Sequence, residues 1–418
     1  MQATHKIDPF LRSSRESETL LINQISLLRA SNNKKVFKFG FGQSPFPVPQ
    51  KITDSLARHA HRKEYMSVQG HLPLRQAIAS FHNDMQGKDW HEDNIIIGAG
   101  SKILIFSILA AFEKAEVILP APSWVSYEPQ AKLLGHKVDW LATKFADNWN
   151  LMPESLDEYC NNRQNQDTPL VLVLNYPNNP TGQTFTAKQL QVLAAVMRKH
   201  KIIVIADEIY SLLTFKHKQA SIADYYPEGC IVSSGLSKWC GAGGWRLGFI
   251  HIPPGLGKQL FQAIIGVASE TYSCAASPIQ IAATTAYEER DLANDFLSRQ
   301  TQLLSQVNDY CSSQLNNSGI DVHPCVGGFY LFPDFSRFKH KLNARQIYTS
   351  THLTTAIMDE TGVALLPGSA FGMKEDSLTA RLAFVDFDGS QILDEKNIAS
   401  FNNVKQGIDK LCDWVSKP

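Results

Sequence analysis

One lysine and one arginine stand eight positions apart in the stretch Gly235-Leu-Ser-Lys-Trp-Cys-Gly-Ala-Gly-Gly-Trp-Arg-Leu-Gly248, set among small residues. A lysine amine attacks carbonyl carbon well when it is partly desolvated and held near other cations, and glycines let a bulky ligand come close to the backbone. Lys238 is therefore the candidate covalent anchor, as a Schiff base, of a carbonyl ligand. Arg246 is the candidate clamp for a phosphate, whose oxygens a guanidinium meets in pairs, and Ser237 offers a hydroxyl beside it. Taken alone, the same residues also read as a surface loop followed by an ordinary strand.

Three further polar motifs narrow the choice. Gly98-Ala-Gly-Ser-Lys102 precedes the apolar helical run 103–112, and small residues before a helix leave free amides and a dipole end for a phosphate; Gly100, Ser101 and Lys102 are the candidate contacts. Asn175-Tyr-Pro-Asn-Asn-Pro-Thr-Gly182 is a turn stiffened by two prolines, which holds the Asn179 amide ready to donate to a phenolate-type oxygen. Asp207-Glu-Ile-Tyr210 follows the apolar run 202–206, so Asp207 stands where the chain leaves a buried strand and its carboxylate calls for a positive partner. A helix N-cap is the structural alternative for Asp207, and a strand-capping turn for Asn179.

These motifs need a frame. Short runs rich in Ile and Val, at 94–97, 116–119, 170–174, 202–206, 230–233 and 247–252, alternate with segments of helical period, which predicts an α/β fold with a mostly parallel mixed sheet flanked by helices. Thr186-Ala-Lys-Gln189 reads as a capping box, and Leu190, Leu193, Ala194 and Met197 follow at helical spacing, as in a crossover helix. The motifs fall after four of the strands, and open α/β sheets bind ligands outside the carboxyl ends of their strands. One ligand could touch all of them.

Bulk properties agree. At 418 residues the chain exceeds what one core supports, and two domains are expected: residues 51–295 as a large domain, 296–418 as a smaller α+β domain, and 1–50 as an arm that joins the smaller one. Strands at 327–332 and 379–384 belong to the smaller sheet. Forty Lys and Arg balance forty Asp and Glu, leaving no basic field for nucleic acid. Seven scattered cysteines with no CxxC pair suggest neither disulfides nor a metal site, and no apolar run approaches a membrane span, so a cytoplasmic protein is expected.

In identity and order the motifs resemble the fold-type I, class I aminotransferases across nearly the whole chain, and the Lys238 stretch resembles their pyridoxal-phosphate attachment signature. The resemblance implies pyridoxal 5′-phosphate as cofactor, Lys238 as its covalent partner, Asp207 against the ring nitrogen, and Asn179 and Tyr210 at the phenolic oxygen. It sets Gly100, Ser101, Lys102, Ser237 and Arg246 around the phosphate. Trp124, in Ala121-Pro-Ser-Trp-Val-Ser-Tyr127, would stack on the ring. Arg381, in Thr379-Ala-Arg-Leu-Ala-Phe384, would grip the substrate α-carboxylate as a fork, lined by Gly42 and Asn179. Tyr65 would reach the phosphate of a neighbouring subunit, which implies a homodimer.

The activity so implied is exchange of an amino group between an L-amino acid and a 2-oxo acid in two half-reactions, with Lys238 as general base and acid. Lys102 matches a position that faces a distal carboxylate in some relatives, which points to aspartate or glutamate, although a solvated first-turn lysine is the plain alternative. A carbon-sulfur lyase or a cyclising synthase on the same scaffold is the rival reading. A cofactor-sensing regulator would need a DNA-binding module that the first fifty residues do not supply. Two departures stand out: Gly235 replaces a phosphate-binding serine of some relatives, and Trp239-Cys-Gly-Ala-Gly replaces a polar or aromatic run.

Overall fold

Among the apolar runs buried along their whole length, as strands covered on both faces must be, are β1 (Ile95–Gly98), β2 (Glu116–Ala121), β4 (Leu170–Asn175) and β6 (Cys230–Gly235). With β3 (Lys137–Ala142), β5 (Ile203–Asp207) and β7 (Gly248–His251) they make a seven-stranded sheet in the order β1-β7-β6-β5-β4-β2-β3. The computed structural model describes residues 16–216, 219–390 and 400–416; residues 1–15 of the expected amino-terminal arm lie outside them.

Pairing is parallel from β3 through β6, whereas β7 runs antiparallel to both β6 and β1. Reversal of β7 has a functional consequence. The residues that enter β7, including Arg246, lie at the same edge as the residues that leave β1, β4, β5 and β6, because Gly248 pairs with both Gly235 and Gly98. Side chains alternate between two cores: Val171, Val173, Ile205 and Ile231 point to one, Leu170, Leu172, Leu174, Val204 and Val232 to the other. Each fully buried Val, Leu or Ile contributes roughly 1.5–3 kcal/mol, so the central strands are the fixed part of the frame.

The strand β3 was not expected from the sequence. It is one of the sheet's two edge strands and only partly buried, and its charged Lys137 and Asp139 break the apolar run that marks the inner strands while guarding this edge against pairing with another chain. The predicted crossover is the helix Ala187–Lys199: the Thr186 hydroxyl accepts from Gln189 N, the Gln189 side chain accepts from Thr186 N, and the four expected apolar residues are buried. The helix expected at 103–112 begins earlier, at Ser101–Ala110, so Ser101 and Lys102 form its first turn.

A second, antiparallel sheet has the order β8-β10-β9, from β8 (Tyr330–Leu331), β9 (Leu366–Pro367) and β10 (Ala380–Ala383). β8 and β10 are shorter than the runs expected there, and β9, only two residues long, leaves no periodic signal. Residues from the start of the chain extend this region: Phe37 bridges Val363, and Ala383 N donates to Phe39 O at 2.8 Å.

Candidate active site

Loops at the carboxyl edge of the large sheet and the face of the small sheet enclose a cavity of about 450 Å³. Of the residues singled out from the sequence, Gly42, Ser101, Lys102, Trp124, Asn179, Asp207, Tyr210, Ser237, Lys238, Arg246 and Arg381 line it. Four cations, Lys102, Lys238, Arg246 and Arg381, face a single carboxylate, Asp207. That surplus suits a ligand carrying more than one negative charge.

Lys238 is presented by residues that turn inward just after it. Trp239 is buried and stacks on Phe81, Cys240 is buried, and Gln300 Nε2 donates to Trp239 O at 2.8 Å. The apolar Trp239-Cys240 pair therefore replaces a polar run for a packing reason: it anchors the lysine loop. Lys238 Nζ donates to Gly42 O at 3.0 Å and lies 5.4 Å from the Tyr210 ring centroid. A side chain at position 42 would collide with Tyr330, whose hydroxyl lies 1.9 Å from where Cβ would stand, so only glycine lets this carbonyl reach the lysine.

Asp207 ends β5, 3% exposed. Tyr127 OH donates to its Oδ2 at 2.6 Å and Ile209 N to its Oδ1 at 3.3 Å. Burial pushes the carboxyl up to about 6, against the lowering effect of these hydrogen bonds and of Lys238. Asn175 Nδ2 donates to Asp207 O at 2.7 Å while its Oδ1 accepts from Asn179 N at 2.7 Å, which ties the two turns together. The Tyr210 hydroxyl is 2.9 Å from that of Tyr330, and burial raises its pKa well above the usual phenol value.

At one end of the cavity Gly100 caps the helix Ser101–Ala110 with φ of 95°, and a Cβ there would stand 2.4 Å from Arg246 Nη2. Gly100 thus shapes the wall without lining the cavity. Lys102 Nζ sits 5.2 Å above the Trp124 ring, and burial followed by the Arg246 charge lowers its pKa. Among the described residues neither Lys102 nor Arg246 pairs with a carboxylate. There is no serine at position 235, but Ser101 and Ser237 both line the cavity and offer hydroxyls.

At the other end Arg381, 1% exposed, donates from Nη1 to Asn179 Oδ1 at 2.9 Å and from Nη2 to Gly40 O at 2.6 Å. Its Nε has no partner, and burial lowers the guanidinium's pKa. A buried cation with a free donor is costly unless an anion completes it.

The structure does not bring Tyr65 to this cavity; its side chain is 91% exposed. Sequence reasoning in turn missed Tyr127, Asn175 and Tyr330. The first two stood inside quoted motifs with no role given, and Tyr330 was read only as part of a strand. A polar group at the very end of a buried strand, as Asn175 is at the end of β4, was the available signal.

The comparisons with known proteins agree with this geometry. The family model for aminotransferase class I and II matches residues 34–386. The probable N-acetyl-LL-diaminopimelate aminotransferase of Bacillus subtilis strain 168 is 31% identical over 99% of this chain and 96% of its own length. The aspartate aminotransferase of Geobacillus stearothermophilus is 30% identical over 86% of this chain and 90% of its own. Among solved structures, the Thermus thermophilus aspartate aminotransferase with maleate shares the fold, with a TM-score of 0.84 at 21% identity over 99% of this chain and 100% of that one. Among the described residues no helix is long and apolar enough to cross a membrane. By family model and by a relative matched along almost the whole chain, the protein belongs to the class I and II aminotransferases.

Proposed function

We propose that the enzyme holds pyridoxal 5′-phosphate in this cavity and moves an amino group between an acidic L-amino acid, aspartate or glutamate, and a 2-oxo acid. The residues present fit the cofactor. Lys102, Arg246 and the amides that open the helix Ser101–Ala110 offer an anion site with no acid of its own, Trp124 offers a ring face, and the buried Asp207 offers a carboxylate short of a cation. When bound, the cofactor supplies an aldehyde that accepts the amino group and an electron-poor ring that takes up the electrons left on the substrate's Cα.

The chain's own groups do the rest. Lys238 Nζ is the amine that would hold the cofactor; once freed it would act as general base and acid, moving the donor's Cα proton to the cofactor in one half-reaction and back to the new Cα in the other. Ionised Asp207, oriented by Tyr127, would keep the cofactor's ring nitrogen protonated. Asn179 and Tyr210 would donate to the phenolic oxygen, and Asn179 in turn orients Arg381. Arg381, which lines the cavity and meets only neutral groups of the chain, would take the α-carboxylate and so set the substrate's Cα near Lys238. The buried guanidinium of Arg381, given only neutral partners by the chain and lining the same cavity as Lys238, is the observation that carries this reading.

Lys102 supports the acidic donor, being a partly buried cation that no carboxylate of the described residues meets, and so do the printed names of several relatives. We also read the chain as a large unit of residues 51–295 and a small one of 296–418 with the arm 1–50, and as a homodimer in which the exposed Tyr65 reaches the partner's phosphate end. All seven cysteines are free, which supports a reducing, cytoplasmic setting. A panel of amino donors against pyruvate, 2-oxoglutarate and oxaloacetate tests the reaction. Transfer fastest from aspartate or glutamate is expected, while ammonia release without an acceptor would overturn it in favour of elimination chemistry.

A further inference from the structure

Glu208 follows the cofactor-facing Asp207 but turns away from the cavity, and it is a buried carboxylate that the reaction does not use, 3% exposed. Its Oε1 accepts two hydroxyls, Tyr176 OH at 2.8 Å and Ser221 Oγ at 2.5 Å. Tyr176 OH accepts in turn from Ile222 N at 2.8 Å, and Asp224 Oδ2 accepts from Ser221 N at 3.1 Å. The buried ammonium of Lys88 pairs with Asp224 and completes the node.

Its place in the fold gives the node a task. The β4–β5 ladder ends at the pair Asn175 and Asp207. Past that point the two turns that carry Asn179 and Tyr210 have no further ladder to hold their register. On the cavity side the Asn175 amide bridges them, and Tyr176 N donates to Asp207 O at 3.4 Å. On the far side the bridge is Tyr176 to Glu208, and hydrogen bonds to a buried carboxylate are among the stronger ones.

We propose that Glu208, through Tyr176 and Ser221, is a positioning residue for the transfer reaction: it locks the turn 175–179 against the turn 207–210, so that Asn179, Asp207 and Tyr210 converge on one ligand. This rests on the pyridoxal-phosphate reading above, in which those three groups face the cofactor. Glu208 touches neither cofactor nor substrate, so its removal acts on alignment, and a displacement near 1 Å at reacting groups costs roughly a hundredfold in rate.

Three variants test it: Glu208→Ala, Glu208→Gln, which keeps an acceptor oxygen at nearly the same place, and Tyr176→Phe. In the cofactor-free protein, Glu208→Ala is expected to speed amide hydrogen exchange in both turns together while β4 and β5 keep wild-type protection. In the holoenzyme it is expected to lower kcat by roughly ten- to a hundredfold with KM little changed. The pH midpoint of the bound cofactor's absorbance should shift as well. Glu208→Gln should restore most of both readouts and Tyr176→Phe should show a smaller loss of the same kind. Wild-type exchange, kcat and absorbance in folded Glu208→Ala would overturn the proposal, as would a Glu208→Gln variant as impaired as Glu208→Ala. If Glu208→Ala does not fold, Tyr176→Phe with wild-type exchange and kcat overturns it. Failure of the wild type to take up the cofactor would sink the reading underneath, whereas a loaded wild type with indifferent variants sinks this inference alone.

Discussion

Two arginines whose side chains are largely removed from water, one near the amino ends of the large sheet's strands and one beyond their carboxyl ends, are solved in opposite ways. Arg163 lies near the amino end of β2, where its Nε meets Glu116 Oε2 at 2.7 Å and its Nη2 donates to Thr168 O at 2.7 Å. Arg381, at the carboxyl edge, is buried more deeply, yet has only neutral partners, Asn179 Oδ1 and Gly40 O, and one donor left over. Burying a charge is tolerable when a counter-charge is built in and costly when it is not. The chain completes the first arginine itself and leaves the second for a ligand. The same contrast separates the two ends of the cavity from its middle. Asp207, Asn175, Asn179 and Tyr210 are bound to one another or to Tyr127 and Tyr330, whereas Lys102, Arg246 and Arg381 await anions.

The contrast can be broken at several points. Arg381→Met is expected to cut kcat/KM for amino donors by about 10³-fold, about 4 kcal/mol, while the melting temperature of the cofactor-free protein stays level or rises, since an unpaired buried charge is gone. Arg163→Met is expected to do the reverse: it leaves Glu116 with only the more distant Lys137, at 3.8 Å, and lowers stability by roughly 1–3 kcal/mol, with kcat/KM per folded molecule unchanged. Denaturant melts and steady-state rates on both variants read the two effects side by side. If both lost stability and neither lost rate, Arg381 would be structural.

Asp207 gives a pH signature in the cofactor-free protein. Its carboxyl stands near 6 when folded against 3.8 as the reference value, so the folded state binds the proton more tightly than the unfolded chain does. Stability relative to Asp207→Asn is therefore full below about pH 4 and falls as pH rises through 6, by about 3 kcal/mol in all. Urea melts of both proteins at pH 4 and pH 8 check this; a gap that does not widen with pH would mean the carboxylate is not strained. Saturating cofactor should shrink the gap, because the ring cation relieves it. The smallest expected effect is at Lys102: Lys102→Ala should lower turnover of aspartate relative to alanine by about tenfold, about 1.4 kcal/mol. Equal losses for both donors would make Lys102 a phosphate or scaffold residue only.

The parts of this molecule legible in its sequence are those that a single local rule fixes. Inner strands buried on both faces read as Ile and Val runs, and the Thr186 capping box announces its helix. The edge strand β3 was hidden because half-exposed strands carry charges, and β9 because two residues show no period. In the site, Lys238, Asp207 and Arg246 could be named because they end or enter buried strands within glycine-rich or stiffened loops. Tyr127 and Tyr330 could not. Tyr127 reaches Asp207 from 80 positions away, and Tyr330 reaches Tyr210 from 120, so their partners exist only once the sheets are folded. Arg163 drew no notice either, since an arginine and its glutamate 47 positions apart leave no local trace.

Borohydride reduction of the purified protein, followed by peptide mass analysis, tests the covalent anchor most directly. A Lys238 anchor requires a yellow protein that bleaches on reduction and carries the reduced cofactor's added mass on the peptide containing Lys238. Colourless protein, or the added mass on another lysine such as Lys102, would contradict it.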